Sequence, residues 1–175
     1  MDRARVTELY AARQRGDVSH LLDALRDPEH RIVAIAHLGE LRARVAVDPL
    51  ITLLGAGDRG TQSGAAEVLG QLGAVEAVPA LIDLARGGQY VVPRTYAIMA
   101  LGRIRDTRSL SPLCDLLNDS NIVIRQAAVR ALGVFGDHCA IEPLQQASKK
   151  ERWYSRGIYR QAIRRIKSTD ATPRA

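Results

Sequence analysis

Apolar residues along this chain recur at steps of three and four. Between positions 122 and 135, Ile124, Ala128, Ala131, Leu132 and Phe135 form one stripe, the signature of a helix that buries one face. A shorter helical stretch, 111–119, precedes it across a short loop. Two helical segments make one unit, and the unit recurs. Leu-Gly falls at Leu38-Gly39, Leu69-Gly70, Leu101-Gly102 and Leu132-Gly133, at spacings of 31, 32 and 31. Eight residues before these glycines stand Arg31, Gln62, Arg94 and Arg125; nine or ten after them stand Pro49, Pro79, Pro112 and Pro143. A fifth copy runs from Arg156 and carries Arg164 at the glycine register.

A unit this short cannot bury its apolar face alone, so copies must stack. The pattern predicts an all-α protein, an α-solenoid of five helix pairs. One domain is expected over 1–168, with a capping helix at 1–16, repeats at 17–41, 42–73, 74–105, 106–136 and 137–168, and a flexible tail at 169–175. A glycine inside a helix costs about 1 kcal/mol relative to alanine. Four of them at one register imply that the next helix comes close there. Gly73 and Gly136, three residues on, suit the left-handed position that ends a helix. Asp106 and Asp137 suit caps for the helices that follow. Asp48-Pro49 and Ser111-Pro112 read as an N-cap with proline at the first helical position, while Val78-Pro79 and Glu142-Pro143 do not, so a proline kink in each first helix is the alternative.

The run of arginine, small residues, Ala-Leu-Gly, then Gly-Asp and a later Pro-Leu resembles HEAT repeats, in particular the short bacterial kind named after phycobilisome lyases. The resemblance covers roughly residues 17–167. It implies a right-handed superhelix with first helices on the convex side and second helices on the concave side. It also implies that the repeated arginines pair with a loop aspartate, for which Asp119 is placed. Such proteins mostly bind other proteins, and a minority are bilin lyases or act on nucleic acid. The chain departs from the pattern at Gln62, in a shorter loop in the first unit, and in two extra residues near Gly87-Gly88-Gln89-Tyr90.

Composition narrows the picture. Apolar residues make up 46% of the 175 residues and aromatics only 4%, so Leu, Ala, Val and Ile must fill the core, which suits close-packed helices. No run of about 18 apolar residues predicts a membrane span, and the start lacks a leader-like apolar segment. Cys114 and Cys139 are expected to be reduced packing residues of a cytoplasmic protein. The histidines show no zinc spacing, Glu29-His30 reads as surface, and no cofactor motif is present.

Charge is uneven. Residues 149–167 carry eight basic residues and one acidic; residues 1–148 carry 16 and 17. Arg156, Arg160 and Arg164 share one helical face, and Trp153, Tyr154 and Tyr159 lie among them. The simpler reading is a soluble end cap, with Tyr159 and Ile163 buried and Trp153 sealing the last hairpin. The other is a patch for nucleic acid or an acidic partner. On the second helices, the position one past each arginine holds Ile32, Ser63, Thr95, Gln126 and Gly157. Five past come Ala36, Glu67, Met99, Arg130 and Gln161, and nine past come Glu40, Gln71, Arg103, Val134 and Arg165. This face drifts from acidic to basic. The functional expectation is a non-enzymatic scaffold that holds a protein or peptide on its concave face, with Thr95, Met99, Arg103, Gln126 and Arg130, and Trp153, Tyr154, Arg160 and Arg164 at the end, as candidate contacts. A bilin-lyase-like subunit and nucleic-acid binding through the basic end are the alternatives.

Overall fold

Helix starts follow the acids and amides placed before them. Asp2 accepts a hydrogen bond from the Ala4 N–H at 2.9 Å and opens α1, Arg3–Arg15. Asp17 caps α2, Val18–Ala24, and Asp58 accepts from the Gly60 and Thr61 N–H groups to open α5, Arg59–Leu72. Asn121 does the same for α9, Ile122–Phe135. Each satisfies donors that the first turn leaves without a partner. The other helices are α3 (Arg31–Glu40), α4 (Val47–Ala56), α6 (Val78–Gly87), α7 (Val91–Ile104), α8 (Leu110–Asp115), α10 (Ile141–Lys150) and α11 (Arg156–Ser168). They come from a computed structural model that describes residues 2–168; the tail expected at 169–175 lies outside the described residues. Among the described residues all regular structure is α-helix or short 3-10 turn.

The helices pair as α2/α3, α4/α5, α6/α7, α8/α9 and α10/α11, and the second helices stack in order: α3 on α5, α5 on α7, α7 on α9, α9 on α11. α1 lies against α2 and α3 and buries Leu9 and Ala12 there. This is an all-α solenoid. Leu38, Leu69, Leu101 and Leu132, the leucines of the Leu-Gly pairs, are all fully buried, and each such burial stabilises by about 2 kcal/mol.

The glycines beside them mark where backbones meet. A Cβ on Gly70 would stand 2.8 Å from the Ala100 Cα, and one on Gly102 would stand 2.8 Å from both the Cα and the carbonyl oxygen of Ala131. At Gly133 the facing atom is the Ala162 Cα at 3.2 Å, and at Gly39 it is a Val68 methyl at 2.8 Å. Close approach is therefore the reason for the register. Gly73 (φ 63°) and Gly136 (φ 80°) end α5 and α9 in the left-handed region, while Arg42 (φ 49°) and Arg105 (φ 57°) hold that conformation just after α3 and α7.

The prolines take neither expected role. A 3-10 turn precedes each of the four helices: Arg44–Ala46, Val75–Ala77, Thr107–Ser109 and His138–Ala140. Asp106 and Asp137 cap the latter two turns through the Arg108 and Cys139 N–H groups. Pro49, Pro112 and Pro143 are then third residues, and Pro79 the second, of α4, α8, α10 and α6. First-turn N–H groups have no intrahelical acceptor, so proline forfeits no bond there. Asp48 and Ser111 lie inside their helices rather than capping them.

Three of the repeated arginines, Arg31, Arg94 and Arg156, share a task beyond the predicted ion pair. Their Nε groups donate to carbonyls at the end of the first helix of the same pair: Arg31 to Leu25 at 2.6 Å, Arg94 to Ala85 at 2.8 Å, Arg156 to Glu151 at 3.0 Å. Gln62 does this through its amide, to Leu54 at 2.9 Å, which explains why glutamine serves in an arginine's place. Arg94 also pairs with Asp119, whose side chain is 13% exposed. Arg125 donates to the Asp119 and Ser120 carbonyls and pairs with Glu151 at 2.6 Å.

Two smaller expectations are corrected. Cys139 is exposed rather than packed, and only Cys114 is partly buried. His30 is buried, with Nδ1 at 2.6 Å from Asp27 Oδ2, instead of lying on the surface. It holds the α2–α3 turn, where the sequence offers only a dipeptide.

Candidate functional site: the second-helix face and the basic end

The second helices present their register positions side by side, and the stacking converts the sequence drift into two different hollows. The first lies between α3 and α5, about 300 Å³, lined by Ile35, Ala36, Glu40, Glu67, Val68 and Gln71 among others. Glu40 is engaged there by Arg13 from α1 and by His37 Nδ1 at 3.1 Å. The second lies between α9 and α11, about 310 Å³, with Met99 reaching in from α7. Its floor is Gly133, Val134, Ile158 and Ala162, and its polar groups are Arg130, Gln161 and Arg165. Gly133 opens this hollow as well as letting α11 approach, because a side chain there would point at Ala162. A small apolar floor with two guanidinium groups suits an apolar molecule that carries carboxylates.

Of the candidate residues on this face, Met99 and Arg130 come together in the α9–α11 hollow; Thr95, Arg103 and Gln126 do not line it. Thr95 turns its hydroxyl onto its own helix, at 2.9 Å from the Val91 carbonyl. The register lists contain Gln161 and Arg165, but nothing in one unit's sequence shows that they join Met99 two units earlier.

At the basic end, Tyr159 is buried on the inner side of α11, with its hydroxyl 3.4 Å from Glu151 Oε1, which also accepts from Arg125 Nε. Burial, then the Glu151 charge, pushes this phenol up to about 12. Ile163 is only partly buried. Trp153 does not seal the hairpin: it is 80% exposed, and Tyr154 is 58% exposed. The two rings meet edge to face at 5.8 Å, and the Arg152 guanidinium lies 5.6 Å from the Tyr154 centroid. Trp153 sits on the 3-10 turn Trp153–Ser155, ahead of α11, which carries it off the packed face. Arg160 and Arg164 are exposed.

The thiols are poorly set for nucleophilic work. Burial raises the Cys114 thiol, and a hydrogen bond to Asp137 raises Cys139, so both favour the protonated form at neutral pH.

Comparison with known proteins places this geometry. A curated relative from a Picosynechococcus species, named phycocyanobilin lyase subunit alpha, is 35% identical over 136 residues, covering 66% of this chain and 50% of the relative. This chain thus spans about half the length of that protein. The relative is named as a lyase subunit, and that overturns the expectation of a non-enzyme drawn from missing catalytic motifs. The family model described as HEAT repeats matches residues 18–95 and 89–164. Nearly the whole described chain is covered, and it belongs to the HEAT-repeat family.

Proposed function

We propose that this chain is a bilin-lyase-type subunit, with the bilin seated in the α9–α11 hollow and the receiving protein held along the rest of the second-helix face. The observation that carries this reading is the hollow itself, in a chain 35% identical to a bilin lyase subunit. A bilin is a linear tetrapyrrole, with flat apolar rings and two propionate side chains. Arg130 and Arg165 can take propionate oxygens, and Met99, Val134, Ile158 and Ala162 offer apolar contact to a ring. At about 310 Å³ the hollow is at the small end of ligand pockets. It suits one end of the tetrapyrrole, the remainder lying along α7 toward Arg103.

In this scheme the chain's residues bind and orient. Guanidinium groups stay charged at neutral pH and hold carboxylates in a fixed plane, which sets the direction of the bilin relative to the acceptor. Thr95, Gln126 and Arg103 on the same helices are offered as contacts to the acceptor protein. The acidic hollow at α3–α5 gives the face a polarity that orients that partner.

The test is a titration with phycocyanobilin followed by visible absorbance. The expected result is saturable binding with a shifted band, and at least about tenfold weaker binding when both arginines are removed in Arg130→Ala/Arg165→Ala, the loss of two charge-assisted contacts. No spectral change at tens of micromolar bilin, or unaltered affinity in the double variant, would overturn the reading.

A further inference from the structure

The basic end of the solenoid has features that an inert cap does not need. In the other layers, the second helix meets the next one through small or apolar residues: Val129 and Gly133 of α9 are buried under α11. The same registers in α11 hold Arg160 and Arg164, both exposed, with Lys167 beyond them. None of these three cations makes a side-chain ion pair or hydrogen bond among the described residues, and the Arg152 guanidinium lies over the Tyr154 ring without an ion pair there. Arg156 spends its Nε and one terminal nitrogen on the Glu151 and Lys149 carbonyls and leaves its charge unneutralised. Ahead of this row, on the turn that leads into α11, stands Trp153, the most exposed large apolar side chain among the described residues.

We propose that this end face binds single-stranded nucleic acid, with phosphates along Arg160, Arg164 and Lys167 and bases stacked on Trp153 and Tyr154. Arg160, Arg164 and Lys167 are spaced by four and three helical residues, advances of about 6 and 4.5 Å, so the row follows a backbone that carries one charge per nucleotide. Protruding aromatic rings beside such a row form the stacking platform that single strands use without sequence preference. A lipid surface is disfavoured, because the apolar side of α11 (Tyr159, Ala162, Ile166) is already buried in the protein and cannot enter a bilayer. An acidic protein is disfavoured because interface cores are depleted in charge, whereas the middle of this face is charged. The site lies at the end of the stack and does not depend on the bilin reading.

The experiment is fluorescence anisotropy of labelled 20-nucleotide oligo-dT and oligo-U with the full chain. Neutralising three phosphates predicts a salt slope near −2 and a loss of affinity of about 20-fold between 50 and 200 mM salt. Arg160→Glu/Arg164→Glu is expected to weaken binding by at least about tenfold and to flatten that slope. Trp153→Ala is expected to weaken it roughly fivefold or more with the slope unchanged, since only stacking is removed. Arg3→Glu/Arg15→Glu makes the same charge change on exposed positions of α1 and is expected to change little. Circular dichroism confirms folding of each variant. The proposal fails if neither oligonucleotide binds at 50 mM salt, if both double variants lose affinity equally, or if Trp153→Ala binds as wild type. It also fails if poly-glutamate of the same length competes as well as the oligonucleotide does.

Discussion

Substituting alanine at the repeated glycines separates close approach from helix propensity, because the four positions are not equally tight. In an unconstrained helix, Gly→Ala gains about 1 kcal/mol. Gly64 in α5 comes near to that state: a Cβ there would lie 3.4 Å from an Ile35 methyl, an ordinary contact. Gly64→Ala should therefore stabilise by about 0.5–1 kcal/mol. At Gly133 the facing Ala162 atoms lie at 3.2 Å, and a shift of a few tenths of an ångström cancels most of the gain, leaving a change within about 0.5 kcal/mol. At Gly102 the new carbon would stand 2.8 Å from the Ala131 Cα and carbonyl oxygen. Backbone cannot rotate away, so α7 and α9 must part, at a cost in the upper part of the usual overpacking range, about 2–3 kcal/mol. The net effect is a loss of about 1–2 kcal/mol, or roughly 3–6 °C in melting temperature for a chain of this size. Thermal melts followed at 222 nm, with urea titrations as a check, should rank the variants Gly64→Ala, Gly133→Ala, Gly102→Ala from most to least stable. Gly102→Leu should fall further, on the order of 3 kcal/mol. If Gly102→Ala melted at or above wild type, the explanation of the Leu-Gly register by helix contact would be wrong.

Three other outcomes follow from the hydrogen bonds and ion pairs. Arg94→Gln should keep the contact to the Ala85 carbonyl, as Gln62 does to Leu54, and lose only Asp119, while Arg94→Met loses both and costs about 2 kcal/mol; denaturant midpoints should order wild type, glutamine, methionine. Asp58 is held below the usual carboxylate range by the Thr61 N–H and hydroxyl; Asp119 is held low despite its burial, by the Asn121 N–H and Arg94. Depressed carboxylates stabilise fully above about pH 4 and less as pH falls through the folded values, so the fall in melting temperature from pH 6 to pH 3 should be smaller in Asp58→Asn and Asp119→Asn than in wild type. Tyr159, pushed up to about 12, stabilises fully below about pH 10 and loses its contribution as pH rises from there toward 12; Tyr159→Phe should show a shallower alkaline loss in the same melts.

The parts of the fold legible in the sequence are those that every layer repeats. Leu-Gly, the arginine eight residues earlier and the helical stripe recur because each interface poses the same packing problem, so five copies average out local noise. The Asp106 and Asp137 caps were legible because the acceptor lies two residues from its donor. The 3-10 turns were not: Val-Glu-Ala and Arg-Val-Ala have no turn chemistry of their own, and the prolines suggested a helix start two residues late. The arginine's bond to a first-helix carbonyl was hidden because carbonyls are the same in every residue, whereas Asp119 announces itself. The α9–α11 hollow draws on three units, so its members are scattered between Met99 and Arg165 and meet only through stacking. Trp153 misled because tryptophan is usually buried, and only the turn geometry shows it outside.

One property of the stack reaches beyond binding. Among the described residues α10 and α11 pack on a single neighbouring layer, so this layer can peel away without disturbing the others. The α9–α11 hollow straddles that seam. An occupant there would act as a clasp, and hydrogen exchange in α11 would slow as the hollow filled, so that the fraying of one terminal layer reports what the protein is carrying.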